Sequence, residues 1–371
     1  MKLGIMGIAA LIVAHVAGML DLVALPVWVG ALRDRFGFSL QQAGALPTVF
    51  LLGAVLASVT LASRVNRINP KLVASLGFAL AAGAFFAAAT QSGFGVLAVL
   101  HLVAGVSVGA GLSMIHGTIG RAQNPHRLFA TAGIFLGIFA VVFLGAVPQI
   151  LIAFGGAAMF VCFGALMIVA AAMCVLFFPK AEFAQAPTHA QPLSRAVWFL
   201  IFGISLMTFN QAMVFSFVEV IGGARGFPNE SVLAVLIAPG LVNLAVPAPL
   251  AIFLEKRVSA FSVVLVGPMV QALLALVVTM VVILPVWAAA AAFFVAVQIF
   301  THTFAFGLLA RIDRTGRAVA ATPAMLMIGA ALGPFIGGAL SQNIGFSALG
   351  IAAVVVAAVS SFFFAKSKAS A

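Results

Sequence analysis

The sequence predicts an all-α integral membrane protein, with twelve transmembrane helices in two pseudo-symmetric halves of six. Three observations carry that expectation. Of 371 residues, 64% are hydrophobic and 7% charged, whereas a soluble domain has roughly 25% charged residues. Charges, prolines and polar clusters cut the chain into twelve apolar segments, each able to supply the ~20 residues a bilayer helix needs. The 18 basic residues fall mostly at one end of those segments, as orientation signals do.

The segments run over 4–32, 41–62, 71–91, 95–119, 129–152, 156–178, 196–222, 231–253, 260–283, 286–309, 318–341 and 345–365. The first follows Lys2 as a signal peptide would, but it is about twice the usual apolar length and ends in Arg33, Asp34 and Arg35, so it reads as a retained helix. An even count puts both termini on one side. Fifteen of the eighteen basic residues fall there, against Arg33, Arg35 and Arg225 opposite. The positive-inside rule makes the richer side the cytoplasm, of a cell (plasma or inner) membrane.

Composition also excludes. The net charge of +11 sits in short loops, which argues against a nucleic-acid partner. Cys162 and Cys174 are twelve apart on one helix, ~18 Å, too far for a disulfide, and no zinc spacing exists. No cofactor motif, His-Glu-x-x-His or Gly-x-Ser-x-Gly occurs, so an enzyme is not expected. The expected partners are a small-molecule substrate, membrane lipids and a proton as coupling ion, for a monomer.

The stretch from Pro179 to Ser194 is polar, holds three prolines and divides the helices six and six. It reads as a cytoplasmic linker between halves 1–178 and 195–371. The halves resemble each other. Arg121 and Arg127 follow helix 4 with the same spacing as Arg311 and Arg317 after helix 10, at an offset of 190. Repeated six-helix halves are built for alternating access around a midplane site.

Over its whole length the chain resembles the major facilitator superfamily. The loop after helix 2 keeps the Leu-Ala of the family motif at Leu61 and Ala62, both arginines at Arg64 and Arg67, and a turn-compatible Asn66, with Ser63 in place of the acid. Helix 4 has His101 where the family's arginine would stand, ahead of Gly105 and Gly109. The glycine-proline motif of family antiporters appears in helix 11, as Gly329, Gly333, Pro334, Gly337 and Gly338, instead of helix 5. The resemblance implies that helices 1, 4, 7 and 10 line a central cavity, that 2, 5, 8 and 11 rock against each other, and that 3, 6, 9 and 12 face lipid. It also implies that Arg64, Arg67, Arg121, Arg127, Arg311 and Arg317 form a cytoplasmic gate, and that the glycines serve packing and rocking.

Every acid and histidine well inside a segment falls on helices 1, 4, 7 and 10. They are His15 and Asp21, His101 and His116, Glu219 with Asn210 and Gln211, and His302 with Gln298. Asn243, Gln271 and Gln149 are amide exceptions. A carboxyl in mid-membrane costs at least ~2.5–3.5 kcal/mol facing lipid, so Asp21 implies a polar interior. The expected site pairs Asp21, as main protonation site, with His101 at comparable depth, and Glu219 as a second carboxylate. The plainer alternatives are that Asp21 only hydrogen-bonds within the bundle, that His101 is packed, and that Glu219 ends a helix. His15 and His116 read as packing or gate residues.

With no lysine or arginine inside a segment, a neutral or cationic, partly apolar organic solute is expected over an anion. Direction stays open, and protons are preferred to sodium. The sharper alternative is a copper-like ion held by His15 and Met19; another class is a membrane-embedded enzyme.

Overall fold

The computed structural model describes residues 3–62, 68–179, 193–254, 256–313, 318 and 322–369. Twelve helical spans in it are long and apolar enough to cross a bilayer: Ile5–Asp34, Leu40–Leu61, Pro70–Ala88, Phe94–Gly120, Arg127–Phe154, Ala157–Phe177, Arg195–Ala224, Asn229–Leu254, Ala260–Met280, Leu284–Ile312, Met325–Asn343 and Ser347–Lys368. They are numbered here as spans 1 to 12. Among the described residues there is no strand. Most of the linker, and Arg64, Arg67 and Arg317, lie outside the described residues.

Local chemistry sets the ends. The Asn69 side chain accepts from the Leu72 amide at 3.2 Å ahead of Pro70, and Ser194 accepts from Val197 at 3.4 Å, each satisfying one orphan donor of a first turn. Gly37, Gly155, Gly226 and Gly345 take positive φ in the turns after spans 1, 5, 7 and 11, where a Cβ would be strained. Gly37 and Gly226 are 189 residues apart, Gly155 and Gly345 190. The backbone therefore repeats at the offset seen in the arginine loops.

Four spans are interrupted. Span 8 breaks before Pro247 and span 11 just ahead of Pro334, because proline lacks the N–H that continues the ladder. Span 7 stops at Phe215 and resumes at Val218. Span 1, expected as one continuous helix, is two: Ile5–Gly18 and Leu20–Asp34. Met19 sits at φ −102°, ψ 21°, and its carbonyl accepts from Leu22 at 3.2 Å, a tighter turn than the α-helix.

The chain divides into two compact units. The first comprises Met1–Ala24, Asp34–Gly37 and Leu46–Ala190. In it span 3 packs on spans 4 and 6, and span 1 on spans 4, 5 and 6. Phe85, Phe160 and Phe163 meet edge to face in its core. The second unit comprises Leu25–Arg33, Phe38–Ala45 and Gln191–Ala371. In it span 9 packs on 10 and 12, and span 7 on 10, 11 and 12. With span 7 counted as the equivalent of span 1, the same pairings are built twice.

Candidate functional site

Asp21 lies in the first turn of the resumed half of span 1, 1% exposed. Neither carboxylate oxygen meets a partner at hydrogen-bond geometry; the backbone amides of Asp21 and Leu22 are the donors turned toward it. A carboxyl group so buried is tolerated when a proton neutralises it, or as an anion only when a cation or water meets it.

His101 is fully buried. Its Nδ1 lies 2.6 Å from the Leu97 carbonyl, which can only accept, so Nδ1 carries the hydrogen. Phe85 and Phe160 stand edge-on to the ring, with centroids at 6.4 and 5.5 Å. The expected contact between Asp21 and His101 is not made. Register explains why: His15 meets His116, and Gly18 lies beneath Leu112. Carried on antiparallel, that register sets Asp21 level with Gly109 and Ala110, about 12 Å along span 4 from His101 at 1.5 Å per residue. The two residues do not share a depth.

The structure instead joins His15 to His116, Nδ1 to Nε2 at 2.9 Å, with ring centroids 5.1 Å apart. Phe129 from span 5 covers His116 edge-on at 5.5 Å. Met19, one turn after His15, is buried. No group of three His, Cys, Asp or Glu side chains able to hold a metal occurs among the described residues.

In the second unit, Gln298 is the centre of a buried chain. Gln271 donates to its Oε1 at 3.1 Å, Gln298 donates to Thr208 at 2.9 Å, and Thr208 donates to the Ile204 carbonyl at 3.0 Å. This links spans 9, 10 and 7. Gln271 thus turns inward from a span expected to support the lipid face, and Thr208 is a member that sequence reasoning missed; hydroxyls carry too little polarity to stand out in an apolar run. Asn210 donates to the Ala353 carbonyl of span 12 at 3.4 Å and is fully buried. Its Oδ1, like Gln211 Oε1, has no partner. His302 stacks on Phe306, centroids 4.9 Å apart, with its Nδ1 unbonded. Glu219 opens the resumed part of span 7, and its carboxylate occupies the space where a Gly30 side chain would begin.

The glycines act by close approach. A methyl on Gly105 would strike the Phe50 carbonyl, and one on Gly109 the Ala54 carbonyl. Gly329 lies against Ser205, Gly333 against Ala212 and Met213, Gly337 against Met213 and Phe217, and Gly338 against Leu40 and Gln41. The Pro334 carbonyl fills the space over Gly44, and Gln342 accepts from the Gln41 amide at 3.1 Å. Of the arginines expected at a gate, Arg127 and Arg311 are exposed and Arg121 half-buried. Beside Arg311, buried Asp313 accepts from the Ala318 amide at 2.8 Å.

Comparison with known proteins bears on what this arrangement serves. The sequence is 30% identical over 154 residues to the 4-hydroxybenzoate transporter PcaK of Pseudomonas putida, a match covering 41% of this chain and 33% of that protein. The match thus spans about one third of that relative's length. The fold is similar to a bacterial homolog of the human lysosomal transporter Spinster in its inward-facing, occupied conformation, with TM-score 0.71 and 15% identity over 98% of this chain and 96% of that one. It is similar also to the nucleoside transporter NupG, solved as a mutant, with TM-score 0.73 and 14% identity over 98% and 99%. The Major Facilitator Superfamily profile matches residues 10–312. This twelve-span chain, in which the pairings of spans 1 and 3 recur at spans 7 and 9, belongs to the Major Facilitator Superfamily of membrane transporters.

Proposed function

We propose that this protein is a proton-coupled secondary transporter that carries a small, neutral or cationic, partly apolar organic solute by alternating access, with Asp21 as its principal protonation site. The observation that supports this reading is the Asp21 carboxyl, buried beside a break in span 1 with neither oxygen partnered. Such a group ties its charge to whatever reaches it. Protonation and solute binding at that depth are coupled when each changes the cost of the other. In this reading His101 serves the polar interior of the first unit, Asn210, Gln211, Gln298, Glu219 and His302 serve that of the second, and the loop arginines act at the cytoplasmic gate. Both termini lie in the cytoplasm of a cell membrane, as the basic bias argues.

Basic side chains stay at the span ends, which favours a neutral or cationic solute. Identity to a 4-hydroxybenzoate transporter favours a second reading, an aromatic acid. Without a fixed cation inside a span, that acid would travel in its neutral form or beside a charged imidazole. Thermal stabilisation of purified protein by a panel spanning 4-hydroxybenzoate, neutral aromatics and organic amines selects between them, since a binder raises stability by mass action.

With a solute in hand, Asp21→Asn in proteoliposomes is expected to abolish accumulation driven by a proton gradient while leaving solute exchange intact. Full gradient-driven accumulation by that variant would overturn the assignment.

A further inference from the structure

Proton coupling at Asp21 leaves the imidazoles of His15 and His116 without a task. At 2.9 Å, His15 Nδ1 and His116 Nε2 are at N–H···N hydrogen-bond distance. One ring donates and the other accepts. The pair therefore keeps its geometry with both rings neutral, and equally with one added proton shared between imidazolium and imidazole. A second added proton puts hydrogen on every ring nitrogen. No acceptor then remains, and two positive charges face each other at contact.

We propose that His15 and His116 form a shared-proton latch that holds Ile5–Gly18 of span 1 against span 4 and opens when both rings are protonated. The latch deepens the transport reading and rests on it only for its mechanical consequence. His15 lies one turn before Met19, where span 1 breaks, and Asp21 begins on the far side of that break. Release frees the segment that ends at the hinge, so protons arriving at the pair loosen the helix that carries the carboxyl. Burial makes the contact count: His15 is 7% exposed, and Phe129 closes over His116.

Few other titratable groups sit on the elements packed around the pair. Span 1 carries Asp21 and, at its far end, Arg33 and Asp34. Span 4 adds His101, about 22 Å from His116 at 1.5 Å per residue, and is followed by Arg121. Span 5 brings Arg127 and span 3 Lys71, both exposed; span 6 brings Cys162 and Cys174. Among the described residues, none of these hydrogen-bonds to either ring.

The test is nitrogen NMR of the full chain in lipid nanodiscs, labelled with 15N in the six histidine side chains, with His15→Gln and His116→Gln used to assign signals. The expected result at neutral pH is a through-bond nitrogen–nitrogen coupling between one protonated and one unprotonated ring nitrogen. On acidification that coupling is lost as both rings become imidazolium, and cysteine labelling at Met19→Cys rises over the same pH interval. Absence of the coupling at every pH overturns the latch, as does its loss with labelling unchanged. The wild-type spectrum decides the first point whether or not either variant folds. Because none of these readouts measures transport, a failed latch leaves the Asp21 reading standing, and inactivity of Asp21→Asn leaves the latch to be judged alone.

Discussion

One added methyl group measures how closely spans 2 and 4 approach. At Gly105 it would meet the Phe50 backbone, whereas at Gly133 on span 5 it meets nothing. Overpacking a tight contact costs about 1–3 kcal/mol, and glycine in an open helix interior is worse than alanine by about 0.5–1 kcal/mol. Gly105→Ala is therefore expected to lower the melting temperature of the purified protein, and Gly133→Ala to hold or raise it. Equal melting temperatures for the two variants would contradict the contact. The glycine stripe beside His101 was readable from spacing at 100° per residue. The separation of Asp21 from His101 was not. Depth along two antiparallel helices depends on where each begins and on the break at Met19, and the sequence around Met19 carries no proline to announce one.

At the scale of elements, polar groups join spans that hydrophobicity alone leaves free to slide. The chain from Gln271 through Gln298 to Thr208 crosses three of them. Interhelical hydrogen bonds in membranes average about 0.6 kcal/mol, up to about 1.7. A double-mutant cycle of Gln271→Leu and Gln298→Leu is expected to give a coupling energy in that range, because each single change strands the other amide. A coupling of zero would show that the two amides do not act together. The resemblance to the family implies that span 9 faces lipid, with Gln271 an exception in the sequence. Its amide faces inward since a buried amide needs a partner more than lipid needs an apolar face. The breaks at Pro247 and Pro334 were not legible from proline alone, because Pro26, Pro47, Pro148, Pro239 and Pro268 stand inside continuous helices; nor was the interruption of span 7 at Ser216 and Phe217.

For the whole molecule, segment boundaries were the most legible feature, since a bilayer demands a length and charges mark its limits. The repeat was legible from two arginine loops at an offset of 190, and Gly155 and Gly345 keep that offset in the backbone. Topology adds a prediction: a reporter fused after Ala371 is expected to be active only as a cytoplasmic fusion, and an external signal would reverse the orientation. Protonation of Asp21 is the claim on which the function turns, and infrared spectroscopy of the carboxyl stretch in native-like membranes tests it without a known solute. Across a pH titration, a titrating band of a buried carboxylic acid is expected, absent in Asp21→Asn. The same titrating band in that variant, or none in the wild type, would contradict the account.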